Sequence, residues 1–106
     1  MTDPFTPLTE EPASIMVGAF TAWTIPDAFS SSEFSVKYVF LRDNIRKELA
    51  GSYTSGLWTF TAVSTFTTDL EPGEHMLDLI VTRLSDGEHK IIRTSTITCF
   101  ATPADR

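Results

Sequence analysis

The side chains best suited to bind a metal ion in this sequence are His75, His89 and Cys99, because imidazole nitrogen and thiolate sulfur are ligands that zinc prefers. A tight turn at Asp86-Gly87 would leave His89 near the turn and place His75 beside Cys99. The two groups would then lie about nine residues, or roughly 30 Å, apart along the strand. All three side chains cannot share one ion, and two of them make only half a zinc site. The sequence therefore predicts neither a metal site nor a cofactor.

The groups needed for nucleophilic or acid–base catalysis are also scattered. Neither histidine belongs to a recognisable nucleophile motif, no G-x-S-x-G sequence occurs, and Cys99 falls inside a presumed strand, where cysteine usually packs. The acidic pairs Asp69 with Glu71 and Asp86 with Glu88 fall in predicted turns, where solvated carboxylates are usual. We therefore predict no catalytic residues and a protein that is not an enzyme.

Charge and composition restrict the classes of partner. The chain has 106 residues, enough for one domain with its own core, and carries a formal net charge of −6. An acidic surface repels nucleic-acid phosphates and anionic membranes, and no apolar run is long enough to cross a bilayer. The first residues lack the pattern of a signal peptide, and a single cysteine excludes an internal disulfide. We expect folding in a reducing cytoplasm, no nucleic-acid partner and no membrane association.

The elements that would position these side chains are β-strands. Apolar and β-branched residues fill 76–84 and 89–100 on either side of Asp86-Gly87, the strongest short-range signal of a β-hairpin. A two-residue turn would place Arg83 opposite Lys90, and facing like charges are unfavourable. Either both side chains reach solvent or the true register contains a bulge, and the sequence leaves both open.

Earlier segments predict further strands over residues 14–25, 34–41 and 53–65. A buried Tyr38 in the second of them would need a partner for its hydroxyl group. Residues 42–51 fit either a short helical turn or a charged edge strand. Short strands separated by turns at this spacing are typical of an all-β sandwich or barrel.

The N-terminal segment contains Pro4, Pro7 and Pro12, which oppose both helix and sheet. It is interpreted either as an extended arm that Phe5 and Leu8 anchor on a neighbouring subunit, or as a frayed terminus. The predicted organisation is a flexible or partner-bound arm over 1–13, a β-sandwich domain over 14–101 and a short tail over 102–106.

The aromatic residues allow two interpretations. Trp23, Trp58, Phe20 and Phe66 would form an exposed stacking surface for sugar or peptide, or would fill the core that so small a sandwich requires. The candidate partner-contact residues are Phe5, Leu8, Phe20 and Phe66.

The corner before the hairpin carries a first resemblance. Leu70-Glu71-Pro72-Gly73 followed by a strand resembles the corner that enters the penultimate strand of fibronectin-type and immunoglobulin-like sandwiches. A tyrosine near this corner commonly hydrogen-bonds back to the backbone, and here His75 occupies the place. The resemblance implies an immunoglobulin/fibronectin-III-like antiparallel β-sandwich of about seven strands.

The order of motifs from Val17 onward resembles small structural proteins of tailed bacteriophages. The segments that carry it are Trp23-Thr24-Ile25, Phe34-Ser35-Val36-Lys37-Tyr38, Trp58-Thr59-Phe60-Thr61, residues 68–73, Asp86-Gly87 and Pro103-Ala104. The resemblance implies a non-enzymatic, multimeric component of the virion (head or capsid, neck connector, or tail), made in the host cytoplasm. Its partners would be other virion proteins and copies of itself.

Two further functions remain open at this point. One is a ligand-binding β-sandwich module that recognises glycan or protein at a cell surface, which predicts an exposed Trp23 or Trp58. The other is a cytoplasmic inhibitor or regulator of a host enzyme, which also fits a small acidic domain.

Overall fold

The computed structural model describes residues 6–25, 29–54 and 56–100, and in these ranges the protein is all-β. The one helix among them is the single turn α1 (Ser64–Thr67). The strands are β1 (Ser14–Met16), β2 (Thr21–Ile25), β3 (Phe34–Arg42), β4 (Ile45–Ala50), β5 (Ser52–Thr54), β6 (Leu57–Ala62), β7 (Gly73–Arg83) and β8 (His89–Phe100).

The strands form two sheets that share one hydrophobic core. The larger sheet has the order β1-β8-β7-β3-β4 and the smaller one the order β2-β6-β5. All neighbouring strands are antiparallel except β1, which runs parallel to the end of β8. The expectation of a wholly antiparallel arrangement is therefore wrong for β1, because the chain enters the sheet beside its own last strand.

Glycine residues allow the chain to pass from one sheet to the other. The predicted strand 14–25 is divided into β1 and β2, which lie in different sheets, and Gly18 between them has a positive φ of 82°, which glycine adopts without steric cost. At Gly51, between β4 and β5, an added Cβ would lie 2.8 Å from Cε1 of the buried Phe60 ring. Glycine at this corner permits the close approach of the two sheets.

The β7–β8 hairpin forms as predicted, but its register differs. The Arg83 carbonyl accepts a hydrogen bond from the Gly87 N–H at 2.8 Å, and the Arg83 N–H donates to the Glu88 carbonyl at 2.7 Å, so the turn is longer than two residues. Between Leu79 and Ile80 the register shifts by one residue, and Lys90 lies opposite Val81 instead of Arg83. The predicted two-residue turn is therefore wrong. The longer turn brings Glu88 opposite Arg83 and so removes the like-charge pair, while the bulge lies farther along the strands.

Residues 42–51 form a charged edge strand rather than a helical turn. β4 pairs with β3 and is the last strand of its sheet. Lys37 Nζ of β3 contacts Glu48 Oε1 at 2.6 Å, and Arg46 Nε contacts Glu48 Oε2 at 3.2 Å. Charged side chains on an edge strand oppose pairing with a foreign strand.

The centre of the core is an aromatic cluster from both sheets. Tyr38 of the larger sheet lies edge-on to Trp23 and Phe60 of the smaller one, with ring centroids 5.4 and 4.6 Å away. All three residues are fully buried. Such ring pairs contribute about 0.5–1.5 kcal/mol each beyond the burial of their area, so this cluster fixes how the two sheets are stacked.

The N-terminal residues 6–13, which we call the strap, lie against their own chain. The Leu8 N–H donates to the Ala22 carbonyl and the Leu8 carbonyl accepts from the Thr24 N–H, both at 2.8 Å. At the other end of the strap, the Ala13 carbonyl accepts from the Thr98 N–H at 3.1 Å. The strap therefore connects the edge of the smaller sheet to β8, while its predicted contact with a neighbouring subunit stays a prediction.

Glu11 of the strap supplies the partner that the Tyr38 hydroxyl requires. The hydroxyl donates to Glu11 Oε2 at 2.8 Å, and the Ser95 hydroxyl of β8 donates to Glu11 Oε1. Burial and the neighbouring Glu11 carboxylate raise the pKa of Tyr38 to about 12, above the ordinary tyrosine value of about 10. One carboxylate thus joins the strap to β3 and β8, the two strands on either side of β7 in the larger sheet.

Replacing Glu11 tests this junction. We expect Glu11→Ala to lower the free energy of unfolding by about 1–3 kcal/mol, because it leaves a buried tyrosine hydroxyl without an acceptor. The matched control is Glu10→Ala, which removes an identical charge from the exposed neighbouring position. Urea unfolding of both variants and of Tyr38→Phe gives the double-mutant cycle. Additive losses for Glu11→Ala and Tyr38→Phe would contradict the bond.

The raised pKa of Tyr38 predicts how stability depends on pH. Below about pH 10 the hydroxyl is neutral in both the folded and unfolded states, so its contribution is complete. Between that value and about 12, the folded pKa, the unfolded state ionises first and stability falls. We expect absorbance titration of tyrosinate to show a step near pH 12 that Tyr38→Phe removes and Tyr53→Phe retains. A Tyr38→Phe protein with an unchanged upper step would refute the assignment.

Candidate interaction surface

The structure places His89 far from His75 and Cys99, the other two side chains that the sequence suggested as metal ligands. His75 is buried, lies opposite Ile97, and has Nδ1 3.2 Å from the Gly73 carbonyl oxygen. Cys99 is buried opposite Gly73, and burial raises the pKa of its thiol. His89 is exposed at the far end of the hairpin. In residues 6–25, 29–54 and 56–100 no three metal-ligating side chains come together.

Three of the four acidic side chains of the turns, Asp69, Glu71 and Asp86, lie beside basic partners. Asp86 accepts two bonds from the Arg83 guanidinium, at 3.0 and 2.5 Å, and one from the Glu88 N–H at 3.1 Å. These donors hold the pKa of Asp86 at about 2. Asp69 contacts Lys47 at 3.3 Å. An acid with a lowered pKa stays ionised at neutral pH, which is the opposite of what a general acid needs.

The proposed aromatic platform for sugar or peptide is not formed by the tryptophans. Trp23 is 0% exposed and stacks on Phe60 at 5.9 Å, and Trp58 is 4% exposed. The Trp58 indole N–H donates to the Phe29 carbonyl at 2.8 Å. Both side chains lie in the core because the smaller sheet needs large residues to cover the larger one, so the prediction of an exposed tryptophan is wrong.

The four candidate partner-contact residues lie on different parts of the molecule. Leu8 lies on the strap beside β2 with 51% of its surface exposed, and Phe20 is partly buried just before β2. Phe66 of α1 is partly buried against Phe40, at 5.6 Å between ring centroids. Phe5 falls outside the described residues. Their role in partner contact stays a prediction.

The larger sheet has a second face, which points away from the core and which the sequence did not predict as a site. We call it the outer face. In paired antiparallel strands, opposite residues share a face, so the register identifies its members. They are Ser35, Lys37, Val39 and Leu41 on β3; Arg46, Glu48 and Ala50 on β4; Glu74, Met76, Asp78, Ile80 and Thr82 on β7; and His89, Ile91, Thr94, Thr96, Thr98 and Phe100 on β8.

The outer face carries more apolar surface than a solvated sheet face needs. Met76, Ile91 and Phe100 are 48%, 52% and 48% exposed. Val39 and Ile80 are buried on this face although they lie outside the core cluster. The sequence signal was present, since apolar residues occur on both parities of residues 76–84, but strand assignment alone did not show which parity faces solvent.

Five polar side chains of the outer face are paired with each other. The Thr94 hydroxyl donates to Asp78 Oδ1 at 2.8 Å, and Lys37 with Arg46 brackets Glu48. The two basic groups lower the pKa of Glu48. A shallow depression of about 270 Å³ lies among these side chains, bordered by Ile80 and Ile91. The face therefore combines half-exposed apolar side chains with a group of polar side chains that are already paired.

Two wider grooves, of about 620 and 500 Å³, flank the β7–β8 turn and share Phe34 and Arg83. Arg83 is engaged by Asp86 in both. The buried polar atoms that lack a hydrogen-bond partner in the described chain belong to Trp23, Arg42 and His75, and none of these residues lines either groove. The larger groove is lined mainly by charged side chains of the turn, including Arg83, Asp86 and Glu88, whereas small-molecule sites are mostly apolar with a few polar groups.

Comparison with known proteins assigns no family to the chain. No protein-family model matches it, and no curated protein matches it. The described part of the chain contains no helix that is long and apolar enough to cross a membrane. The function is therefore argued from the fold and the outer face.

Fluorescence quenching tests the burial of the tryptophans. We expect acrylamide to quench the native protein far less than the same protein unfolded in urea, because both indoles are shielded from solvent. The single variants Trp23→Phe and Trp58→Phe assign the two signals. Quenching of either native indole at the unfolded rate would restore the aromatic platform as a candidate.

Proposed function

We propose that this protein is a non-enzymatic structural protein that assembles through protein–protein contacts, and that it is a component of a tailed-phage virion. The observation that carries the proposal is the half-exposed apolar set Met76, Ile91 and Phe100 on the outer face of the larger sheet. Exposed apolar patches rimmed by polar side chains are typical of surfaces that bind proteins.

The energetic reason is the cost of leaving these side chains in water. Each large apolar side chain contributes about 1.5–3 kcal/mol when it passes from full exposure to full burial, and these three are still about half exposed. Burial of the exposed half of each side chain against a partner would contribute the rest of this free energy. Outer-face polar groups such as Asp78 and Glu48 already have partners within the chain, so covering them has a smaller desolvation penalty.

The assignment to a phage particle relies on the order of sequence motifs. The two-sheet all-β fold is compatible with it, and we propose that the sheets form an immunoglobulin-like sandwich. The corner at Leu70, Pro72 and Gly73 leads into β7, the penultimate strand. At this corner His75 Nδ1 lies near the Gly73 carbonyl. In immunoglobulin-like sandwiches a tyrosine near the corner makes a hydrogen bond to the backbone, and we propose that His75 takes its place.

The proposed partners are other virion proteins and copies of the same chain, without nucleic acid or membrane. The place of the protein would be the virion, after synthesis in the host cytoplasm. The alternative of a glycan- or protein-binding surface module relied on an exposed tryptophan, and both tryptophans are buried. No observation favours it over assembly.

Mass spectrometry of gently purified phage particles tests the proposal. Particles produced by the host culture that carries this gene should contain the chain in a fixed stoichiometry to the major capsid protein, because a structural component is incorporated in a set number of copies. The control is the same preparation after a high-salt wash, which removes loosely adsorbed protein. Absence of the chain from intact particles would refute the proposal.

A further inference from the structure

We propose that the outer face of the larger sheet is the surface through which two copies of this chain associate, face to face across a two-fold axis. The inference rests on the proposed function, that the chain works by assembling, and it names the partner as a second copy. A two-fold arrangement places the same patch on both sides of the interface, so the outer face alone can supply both halves of the contact.

The size of the face fits a stable interface. The four strands that carry it, β8, β7, β3 and β4, lie about 4.8 Å apart and are paired over six to ten residues, which presents roughly 550 Å². This approaches the ~600 Å² per partner at the lower end of specific interfaces. The smaller sheet has three strands paired over five residues or fewer, and its outward face is less than about half of that area. Only the larger sheet therefore offers enough flat surface.

The distribution of charge favours a copy of this chain over a basic partner. The outer face holds two basic side chains, Lys37 and Arg46, and three acidic ones, Glu48, Glu74 and Asp78. Its formal charge of −1 is a small part of the −6 of the chain, so most of the acidity lies elsewhere. Two outer faces can meet with little repulsion, whereas a basic protein would be attracted to the remaining surface.

The pattern of side chains also suits the packing of one sheet on another. Val39 and Ile80 are buried on the outer face, and Met76, Ile91 and Phe100 lie along β7 and β8 with about half of their surface exposed. Threonine side chains lie between these residues along β8. Sheets that stack face to face lie about 10 Å apart, and their side chains interdigitate. A second copy would therefore cover the exposed apolar side chains of the first.

The test compares two double variants by sedimentation equilibrium. Met76→Asp with Ile91→Asp places acidic groups on the outer face. Leu57→Asp with Val63→Asp is the matched control, since these residues are similarly exposed, at 45% and 43%, and lie at the start of β6 and just after it, in the other sheet. Both variants change the net charge equally. Circular dichroism and urea unfolding check that each remains folded.

We expect the wild type to form dimers that dissociate about 100-fold more readily in the outer-face variant, as loss of two central apolar contacts implies. The control variant should dimerise like the wild type. A wild type that stays monomeric up to about 1 mM, or a control that dissociates as much as the outer-face variant, would overturn the inference.

Incorporation of the same variants into particles separates this inference from the proposed function. A monomeric wild type whose outer-face variant is lost from particles would mean that the face binds a different virion protein, which overturns the second copy as partner and leaves the proposed function intact. A dimeric wild type that is absent from particles would support the dimer and overturn the virion role.

Discussion

The hydrogen bond between the buried Tyr38 hydroxyl and Glu11 is the constraint on which the arrangement of this domain depends. Tyr38 lies at the centre of the aromatic cluster, where its ring contacts both Trp23 and Phe60. A hydroxyl at that depth needs an acceptor, and Glu11 supplies it from the strap. The same carboxylate accepts from Ser95, so one side chain ties the N-terminal strap to β3 and β8.

The need for such a strap follows from the unequal sizes of the two sheets. Five strands face three, so the smaller sheet is too narrow to cover the whole inner face of the larger one. The strap runs from the edge of β2 at Leu8 to β8 at Thr98, and its Pro12 is buried. Prolines suit an extended connection that pairs with the sheets at only a few backbone groups. The strap thus completes the core instead of acting only as a free arm.

The same central strands produce the surface that we assign to assembly. On β3 and β7 one parity enters the core and the other forms the outer face, because side chains alternate across a sheet. Both parities are apolar around Val39 and Ile80, so the larger sheet has buried apolar residues on its outer face as well as in the core, and this is the face that the proposed partner would cover. The side chains that could take part in chemistry are not brought together. His75 and Cys99 are buried far from the exposed His89, and Arg83 keeps Asp86 ionised.

Local sequence patterns determined the strands, since the period-two alternation, the Asp86-Gly87 turn and the proline-rich start predicted an all-β chain, the β7–β8 hairpin and the need of Tyr38 for a partner. They did not determine the division of residues 14–25 between two sheets, the bulge beside Ile80, or the identity of Glu11 as the acceptor, because each depends on residues distant in the chain. The outer face also depends on residues distant in the chain. Met76 and Ile80 were visible as apolar residues of the second parity, but only the stacking of the smaller sheet decided that this parity points outward.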